Sequence, residues 1–121
     1  MKLLPSAALL ALSCTSAPLA DPSSTPADLG AAVMALAPVL PLPFPVEIRI
    51  LDLSAMELEG RTTFDERLQH FVIELDDDTG TLETLAHEWA HCYVWGLPEH
   101  TVHSDFWGVA YARAYRALVD E

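Results

Sequence analysis

The chain has 121 residues, which leaves room for one small domain rather than several. Hydrophobic residues make up 51% of it and charged residues 20%, and this balance predicts a packed core and excludes a disordered chain. Eighteen acidic residues against six lysines and arginines give a formal net charge of −12, which disfavours unaided binding to nucleic acid or anionic lipid. No uncharged, proline-free apolar run reaches about 18 residues, so a multi-pass membrane protein is excluded.

The N-terminal segment differs in composition from the rest of the chain. Residues 1–27 are predicted to form a signal-like or flexible extension, and residues 28–121 the folded domain. Within residues 1–20, a single Lys2, an apolar stretch and small residues around Cys14 follow the order of a short signal peptide. Cleavage before a lipidated Cys14, ordinary cleavage after the Ala-Leu-Ser that precedes it, and an uncleaved extension are three open alternatives. The first two predict an exported or lipid-anchored protein without a transmembrane span in the mature chain, and the third predicts a cytoplasmic one.

The remainder of the chain is predicted to contain both helices and strands. Hydrophobic periodicity and turn residues predict, in chain order, a helix from the Thr25–Asp28 cap to about Leu36, strands at Val46–Leu53, Leu58–Phe64 and Leu68–Leu75, a helix from Thr81 to Trp95, and a last helix from Ser104 or Asp105 to Val119. Three consecutive strands predict an antiparallel sheet. The expected fold is an α+β domain in which this three-stranded antiparallel sheet packs on the Thr81–Trp95 helix, with an N-terminal and a C-terminal helix beside it.

Several polar or reactive residues are expected to have structural roles only. His70 lies on the outer face of the third strand, where it is either solvated or structural. Cys92 is predicted to be a buried thiol, and Asp76–Asp78 to be a polar turn rather than a calcium site. Two apolar faces are predicted to form the core: Phe71, Ile73 and Leu75 on the third strand, and Phe106, Trp107, Ala110, Tyr111, Ala114 and Leu118 on the last helix.

An HExxH motif, His87-Glu88-Trp89-Ala90-His91, falls on the predicted Thr81–Trp95 helix. At about 100° per residue, His87 and His91 lie one turn apart on one face, so both imidazoles can reach one ion. Glu88 lies beside that face without being required as a ligand, and the apolar residues occupy the opposite side of the helix. The helix is therefore predicted to bind a metal through its two histidines.

A catalytic zinc site needs a third protein ligand and an open coordination position. The candidates downstream of the motif are Glu99, His100, His103 and Asp105. The loop that follows the motif helix is long enough to leave the helix end and bring His103 back beside the motif. The residues by themselves therefore leave more than one third ligand open.

Two segments together resemble the SprT-like zinc metallopeptidases: Leu82–His91, which contains the HExxH motif, and His103-Ser104-Asp105-Phe106-Trp107. That family has a third histidine in an H-G-x-x-[FW] element, so the resemblance implies a small zincin-like domain that holds Zn²⁺ with His87, His91 and His103. Ser104 replaces the family's glycine, and the chain has neither a cysteine-rich zinc ribbon nor a basic DNA-binding region. In this respect it is similar to the minimal members found in bacteriophages, which implies the cytoplasm of a phage-infected bacterial cell if the chain is not exported.

The sequence also favours His103 over His100 as the third ligand. Ser104 or Asp105 is a suitable N-cap, so His103 stands at the head of the last helix and is held by a rigid element. His100 lies three residues earlier in the return loop, where solvent is the expected neighbour. We therefore expect His103→Ala to remove zinc and activity, and His100→Ala to leave both nearly intact.

The expected function is zinc-dependent hydrolysis of peptide bonds. Three neutral imidazoles leave zinc a strong Lewis acid, so its bound water ionises near neutral pH, and Glu88 acts as general base and then as general acid. Tyr111 or Arg113 is a candidate for stabilising the oxyanion. A polypeptide substrate is expected to add as a strand to the sheet edge beside the cleft. The alternative is a non-hydrolytic binding or adaptor module that zinc stabilises, and the oligomeric state is left open.

Overall fold

A computed structural model describes the chain over residues 29–97 and 102–119. In chain order the elements of this part are helix α1 (Leu29–Leu36), strand β1 (Val46–Leu51), one 3₁₀ turn (Ser54–Met56), strands β2 (Gly60–Asp65) and β3 (His70–Asp76), and helices α2 (Leu82–Tyr93) and α3 (Asp105–Val119). The protein is thus α+β, with three helices and three strands in the described ranges, as predicted. None of these helices has the length and apolar character needed to cross a bilayer. The predicted extension at residues 1–27 lies outside the described residues, as does His100.

The sheet is mixed, so the prediction of an antiparallel sheet is wrong for β1. Strand β3 lies in the middle, where it pairs antiparallel with β2 and parallel with β1. A short turn with Gln69 at a φ of 56° closes β2 and β3 into a hairpin, which fixes their antiparallel direction. Residues 52–59 instead carry the chain from β1 past the place of β3, which inserts between the two earlier strands. Alternating apolar residues indicate a strand but not the direction of its neighbour, so the pattern alone did not reveal this.

The core lies between the sheet and the helices. Phe71, Ile73 and Leu75 of β3 are fully buried, which confirms the predicted inner face. They belong to one apolar cluster with the buried apolar side chains of α2, which are Leu82, Leu85, Ala86, Trp89, Ala90 and Cys92. Cys92 is fully buried, as expected, and burial raises the pKa of its thiol well above its ordinary value. The apolar side of α2 is therefore used for packing, and His87 and His91 on its other side are only partly buried.

The outer face of the sheet carries a network of charged side chains. The carboxylate of Glu74 on the central strand accepts a hydrogen bond from Arg61 of β2, and its Oε2 lies 3.9 Å from Nη1 of Arg49 of β1. His70 lies on the same face, with Nε2 3.6 Å from Oε1 of Glu47. His70 therefore has a structural setting beside a carboxylate.

Helix α2 begins with a reciprocal cap. The Thr81 hydroxyl accepts a hydrogen bond from the backbone N–H of Thr84, and the Thr84 hydroxyl accepts one from the backbone N–H of Thr81. This arrangement satisfies two of the N–H groups that a helix start leaves without intrahelical partners. The helix ends at Tyr93, two residues earlier than predicted, and a turn continues to Gly96, which has a φ of 90°.

Helix α3 has the predicted bounds and packs against α1 and α2. Ala110, Ala114 and Leu118 are buried at these contacts, as expected. The predicted core stripe is wrong at Phe106, whose side chain is 56% exposed. Phe106 lies on the first turn of α3, where it lines an apolar surface cavity with Leu97 and with Tyr93 at the end of α2.

Candidate metal centre

Three histidines converge on one point between α2 and the start of α3. His87 and His91 lie one turn apart on α2, with ring centroids 5.0 Å apart. The ring of His103 lies 4.7 Å from that of His87 and 5.2 Å from that of His91. One ring nitrogen from each histidine lies within 4.8 Å of the other two, so the three side chains can hold a metal ion together. The structure thus brings together the three histidines that the sequence predicts as ligands.

The distance between the His87 and His103 nitrogens fits two ligands of one tetrahedral ion. Two imidazole nitrogens that are each about 2.0–2.1 Å from one zinc ion lie about 3.3 Å apart. The Nε2 atoms of His87 and His103 are separated by 3.2 Å. Burial lowers the pKa of His87 to about 4, and the neighbouring His91 and His103 act in the same direction, so its imidazole is neutral at pH 7. A neutral imidazole is the form that has a lone pair for a metal.

The start of α3 positions His103. Ser104 is the N-cap, because its hydroxyl accepts a hydrogen bond from the backbone N–H of Trp107 at 3.2 Å. The indole of Trp107 stacks on the imidazole of His103, and its Nε1 donates to the backbone carbonyl of His87 at 3.3 Å. His103 is therefore fixed by the helix start and by an aromatic contact, although its side chain is exposed. Ser104 therefore serves as the cap of α3.

Glu88 lies beside the three histidines and is hydrogen-bonded to a residue of the sheet. Its side chain is buried, and its Oε1 accepts a hydrogen bond of 2.6 Å from the hydroxyl of Thr62 on β2. Its Oε2 lies 3.9 Å from Nε2 of His87. Burial raises the pKa of Glu88, which is the direction expected for a carboxylate removed from water. Sequence analysis missed Thr62, because a threonine in a strand is an ordinary residue and nothing local marks its contact with a helix 26 positions later.

An open groove of about 520 Å³ runs along the histidine side of α2. It reaches from the segment before β2 to α3, and both His87 and Glu88 line it. The other residues that line it are Glu57, Leu58, Glu59, Gly60, Thr81, Glu83, Thr84 and Tyr111. The groove therefore gives a molecule in solvent access to the side of the metal centre on which Glu88 lies.

Tyr111 forms the far wall of this groove. Its ring stacks on Trp107, with centroids 5.0 Å apart and planes 4° apart. Its hydroxyl donates to Oε2 of Glu83 at 3.0 Å, and Glu83 lies one turn before His87 on α2. Burial and the Glu83 carboxylate raise the pKa of Tyr111 to about 12, so the hydroxyl keeps its proton at neutral pH.

A second group of acids lies where strands β1 and β3 end. Carboxylate oxygens of Asp52, Asp76 and Asp77 lie within 4.8 Å of one another. Asp76 is buried, and its oxygens accept hydrogen bonds from the backbone N–H groups of Leu53, Asp78 and Thr79 and from the Thr79 hydroxyl. These bonds lower the pKa of Asp76 to about 2. Asp76 therefore anchors two loops, within the turn that the sequence predicts at this place.

Comparison with known proteins leaves the family open. The chain matches no protein-family model, no curated protein and no solved structure. The resemblance to SprT-like metallopeptidases rests on the HExxH motif and on the His103–Trp107 element alone, and the family assignment stays a prediction.

Proposed function

We propose that this protein is a zinc-dependent metallopeptidase of the SprT-like, zincin-like type, which hydrolyses peptide bonds with Glu88 as the general base. The observation that carries the proposal is the convergence of His87, His91 and His103 beside Glu88. A zinc ion held by these histidines would supply Lewis-acid chemistry and lower the pKa of a water molecule to near neutrality. The remaining roles fall to side chains of the protein.

Glu88 is the group proposed to move the proton. Its Oε1 is engaged by the Thr62 hydroxyl, and its Oε2 lies on the side of the metal-binding nitrogens. A carboxylate fixed at one oxygen presents the other in a constant orientation, as a general base requires. Glu88 would take a proton from the attacking water and deliver it to the leaving amine nitrogen.

The position of β2 supports a polypeptide substrate. Strand β2 lies at an edge of the sheet, and Gly60 and Glu88 line the same groove. An extended chain that adds to this edge gains main-chain hydrogen bonds and passes beside Glu88. This mode of binding demands little side-chain specificity, so unfolded proteins are the proposed substrate class.

Two observations favour the peptidase over a structural zinc module. Structural zinc sites are almost always closed by four protein ligands, whereas catalytic sites use three and keep one position open. In residues 29–97 and 102–119 the cluster has three histidines. A structural site also has no use for a buried carboxylate beside the ligands. Glu88 is such a carboxylate, and Thr62 of β2 donates a hydrogen bond to it.

The proposal is tested on the purified full chain with labelled casein as the substrate. Zinc content is measured by mass spectrometry, and casein hydrolysis is followed before and after treatment with 1,10-phenanthroline. We expect one zinc per chain, hydrolysis by the loaded protein, its loss on chelation and its return when one equivalent of zinc is added. Protein that holds one zinc per chain but leaves casein intact would contradict the peptidase and support the structural module.

A further inference from the structure

The groove beside the metal centre contains few hydrogen-bond donors. Four of the side chains that line it are carboxylates, which accept hydrogen bonds and repel negative charge: Glu57, Glu59, Glu83 and Glu88. The hydroxyls of Thr81 and Thr84 are engaged with each other and with backbone N–H groups in the cap of α2. Among the residues that line the groove in the described part of the chain, Tyr111 is thus the hydroxyl donor that faces it without a role in the helix cap.

Arg113 is the other residue that the sequence offers for stabilising the oxyanion, but it does not line the groove. Its Nη2 donates to the backbone carbonyl of Val39 at 2.9 Å. It also lines the apolar cavity at Phe106, on a different side of α3 from the groove. Arg113 therefore ties α3 to the segment after α1 and does not face the metal centre.

Peptide hydrolysis places negative charge on the carbonyl oxygen in its transition state, and a donor aimed at that oxygen accelerates the reaction. We propose that Tyr111 is a catalytic residue of the proposed peptidase, whose hydroxyl donates to this oxygen, and that Glu83 accepts the same proton when no substrate is bound. The inference rests on the proposed function. It is supported by the groove that Tyr111 shares with His87 and Glu88, and by the 3.0 Å bond to Glu83.

Hydrolysis has two stages, the addition of water to the carbonyl and the loss of the amine. The oxygen of a water molecule bonds to the carbonyl carbon, one water proton passes to Glu88, and the π pair of the carbonyl moves to its oxygen. The Tyr111 hydroxyl then turns from Glu83 to this negative oxygen without giving up its proton. When the pair returns, the carbon–nitrogen bond breaks and the amine nitrogen takes the proton from Glu88. The products are a carboxylic acid and an amine, and Tyr111 returns to Glu83.

The stacking of Tyr111 on Trp107 is compatible with this movement. The two ring planes are 4° apart, so the Tyr111 ring packs face to face on the indole of Trp107. This indole in turn donates a hydrogen bond to the backbone carbonyl of His87. The hydroxyl hydrogen can change its acceptor by rotation about the bond between the ring and the oxygen, while the stacked ring stays in place. The ring centroid of Tyr111 lies 6.2 Å from that of His87, so the hydroxyl that donates to Glu83 also lies near the candidate metal ligands.

The first test compares two tyrosines that differ in their place on α3. Tyr111→Phe removes the hydroxyl from the groove, whereas Tyr115→Phe removes one that lies a turn further on and does not line it. A quenched fluorescent peptide is made from the casein bond that the wild type cuts fastest. For Tyr111→Phe we expect full zinc content, a KM within about threefold of wild type and a kcat lower by about 10²-fold. Tyr115→Phe is expected to match the wild type in all three.

The second test distinguishes a catalytic role of the Tyr111 hydroxyl from a structural one, in which it only positions Glu83. Glu83→Ala breaks the same hydrogen bond but leaves the hydroxyl in place. A structural role predicts equal losses of kcat in Glu83→Ala and Tyr111→Phe, whereas the proposal predicts a much larger loss in Tyr111→Phe. A phosphinic analogue of the peptide provides a readout without turnover, and its Ki should rise in Tyr111→Phe by about the factor lost in kcat/KM.

The outcomes are distinguishable from those of the proposed function. If the wild type hydrolyses casein and Tyr111→Phe has an unchanged kcat, the role of Tyr111 is overturned and the peptidase stands. Equal losses in Glu83→Ala and Tyr111→Phe also overturn it. If the zinc-loaded wild type does not hydrolyse casein at all, both proposals fail together.

Discussion

The indole of Trp107 stacks on the imidazole of His103, with centroids 4.2 Å apart and planes 22° apart. The same indole donates from Nε1 to the backbone carbonyl of His87. One side chain thus contacts a candidate ligand at the head of α3 and the backbone of another on α2. Trp107 therefore holds the two halves of the metal centre in register, and it gives the aromatic position of the His103–Trp107 element a physical role.

Replacing Trp107 should weaken the metal site without removing a ligand. Trp107→Leu is expected to lower zinc affinity by about 10-fold to 10²-fold, because residues that orient metal ligands usually contribute this much. Trp107→Phe keeps an aromatic face for His103 and should lose less. Phe106→Leu, at the exposed aromatic one residue earlier, is the control and should keep wild-type affinity in a zinc titration. Equal affinity in Trp107→Leu and the control would show that the stacking does not support the site.

His103 should be distinguishable from a histidine that has no part in the metal centre. We expect His103→Ala to lower zinc affinity by at least about 10²-fold, because one of three ligands is lost. His70→Ala removes an imidazole from the outer face of the sheet, beside Glu47, and should leave one zinc per chain. Titration with a competing zinc indicator gives both constants. If His103→Ala still binds zinc like the wild type, the third ligand lies elsewhere.

Thr62 should affect turnover more than metal binding. A hydrogen bond to a charged group contributes about 1.5–3 kcal/mol, which corresponds to about 10-fold to 10²-fold in rate if it acts on the transition state. Thr62→Val removes the donor to Glu88 and should lower kcat by that factor at full zinc content, while Thr62→Ser should keep most of it. The control is Thr63→Val on the exposed side of the same strand. A wild-type kcat in Thr62→Val would contradict the role given to the Thr62 hydroxyl.

Asp76 should make the thermal stability of the fold depend on pH in the acid range. Its pKa in the folded protein is about 2, below the ordinary value near 4, so its ionised form stabilises the fold above about pH 4. This contribution is lost as the pH falls from about 4 to about 2. Asp76→Asn should have a lower thermal midpoint than wild type at pH 7, and the difference should shrink towards pH 2. Asp78→Asn, at an exposed position of the same turn, should follow the wild-type curve, and a matching curve for Asp76→Asn would contradict the assignment.

The elements that local patterns determine were predictable from the sequence. Helix α2 has an unambiguous cap at Thr81, a clear apolar side and two histidines at helical spacing, so its face and its start follow from the chain itself. The bounds of α3 follow in the same way from Ser104 and from Val119. The place of His103 beside the motif follows from these two helices and the length of the loop between them.

The features that depend on pairing between distant segments were not predictable. The parallel direction of β1 depends on β3 inserting between two earlier strands, and no local pattern reports that. The contact of Thr62 with Glu88 and the hydrogen bond from the backbone N–H of Leu53 to Asp76 each join segments more than 20 positions apart in sequence. Phe106 was misplaced because the helical stripe indicates which residues share a face but not how far the neighbouring element extends.

The central claim is that three histidines hold a zinc ion and that Glu88 acts as general base towards the attacking water. The most direct measurement compares the rate of casein hydrolysis by wild type, Glu88→Gln and a control, Glu66→Gln in the exposed turn between β2 and β3, all at one zinc per chain. Glutamine still accepts the bond from Thr62 but cannot take a proton, so the rate for Glu88→Gln should fall by about 10²-fold to 10⁴-fold while the control stays active. Equal rates for Glu88→Gln and wild type at equal zinc content would contradict the account.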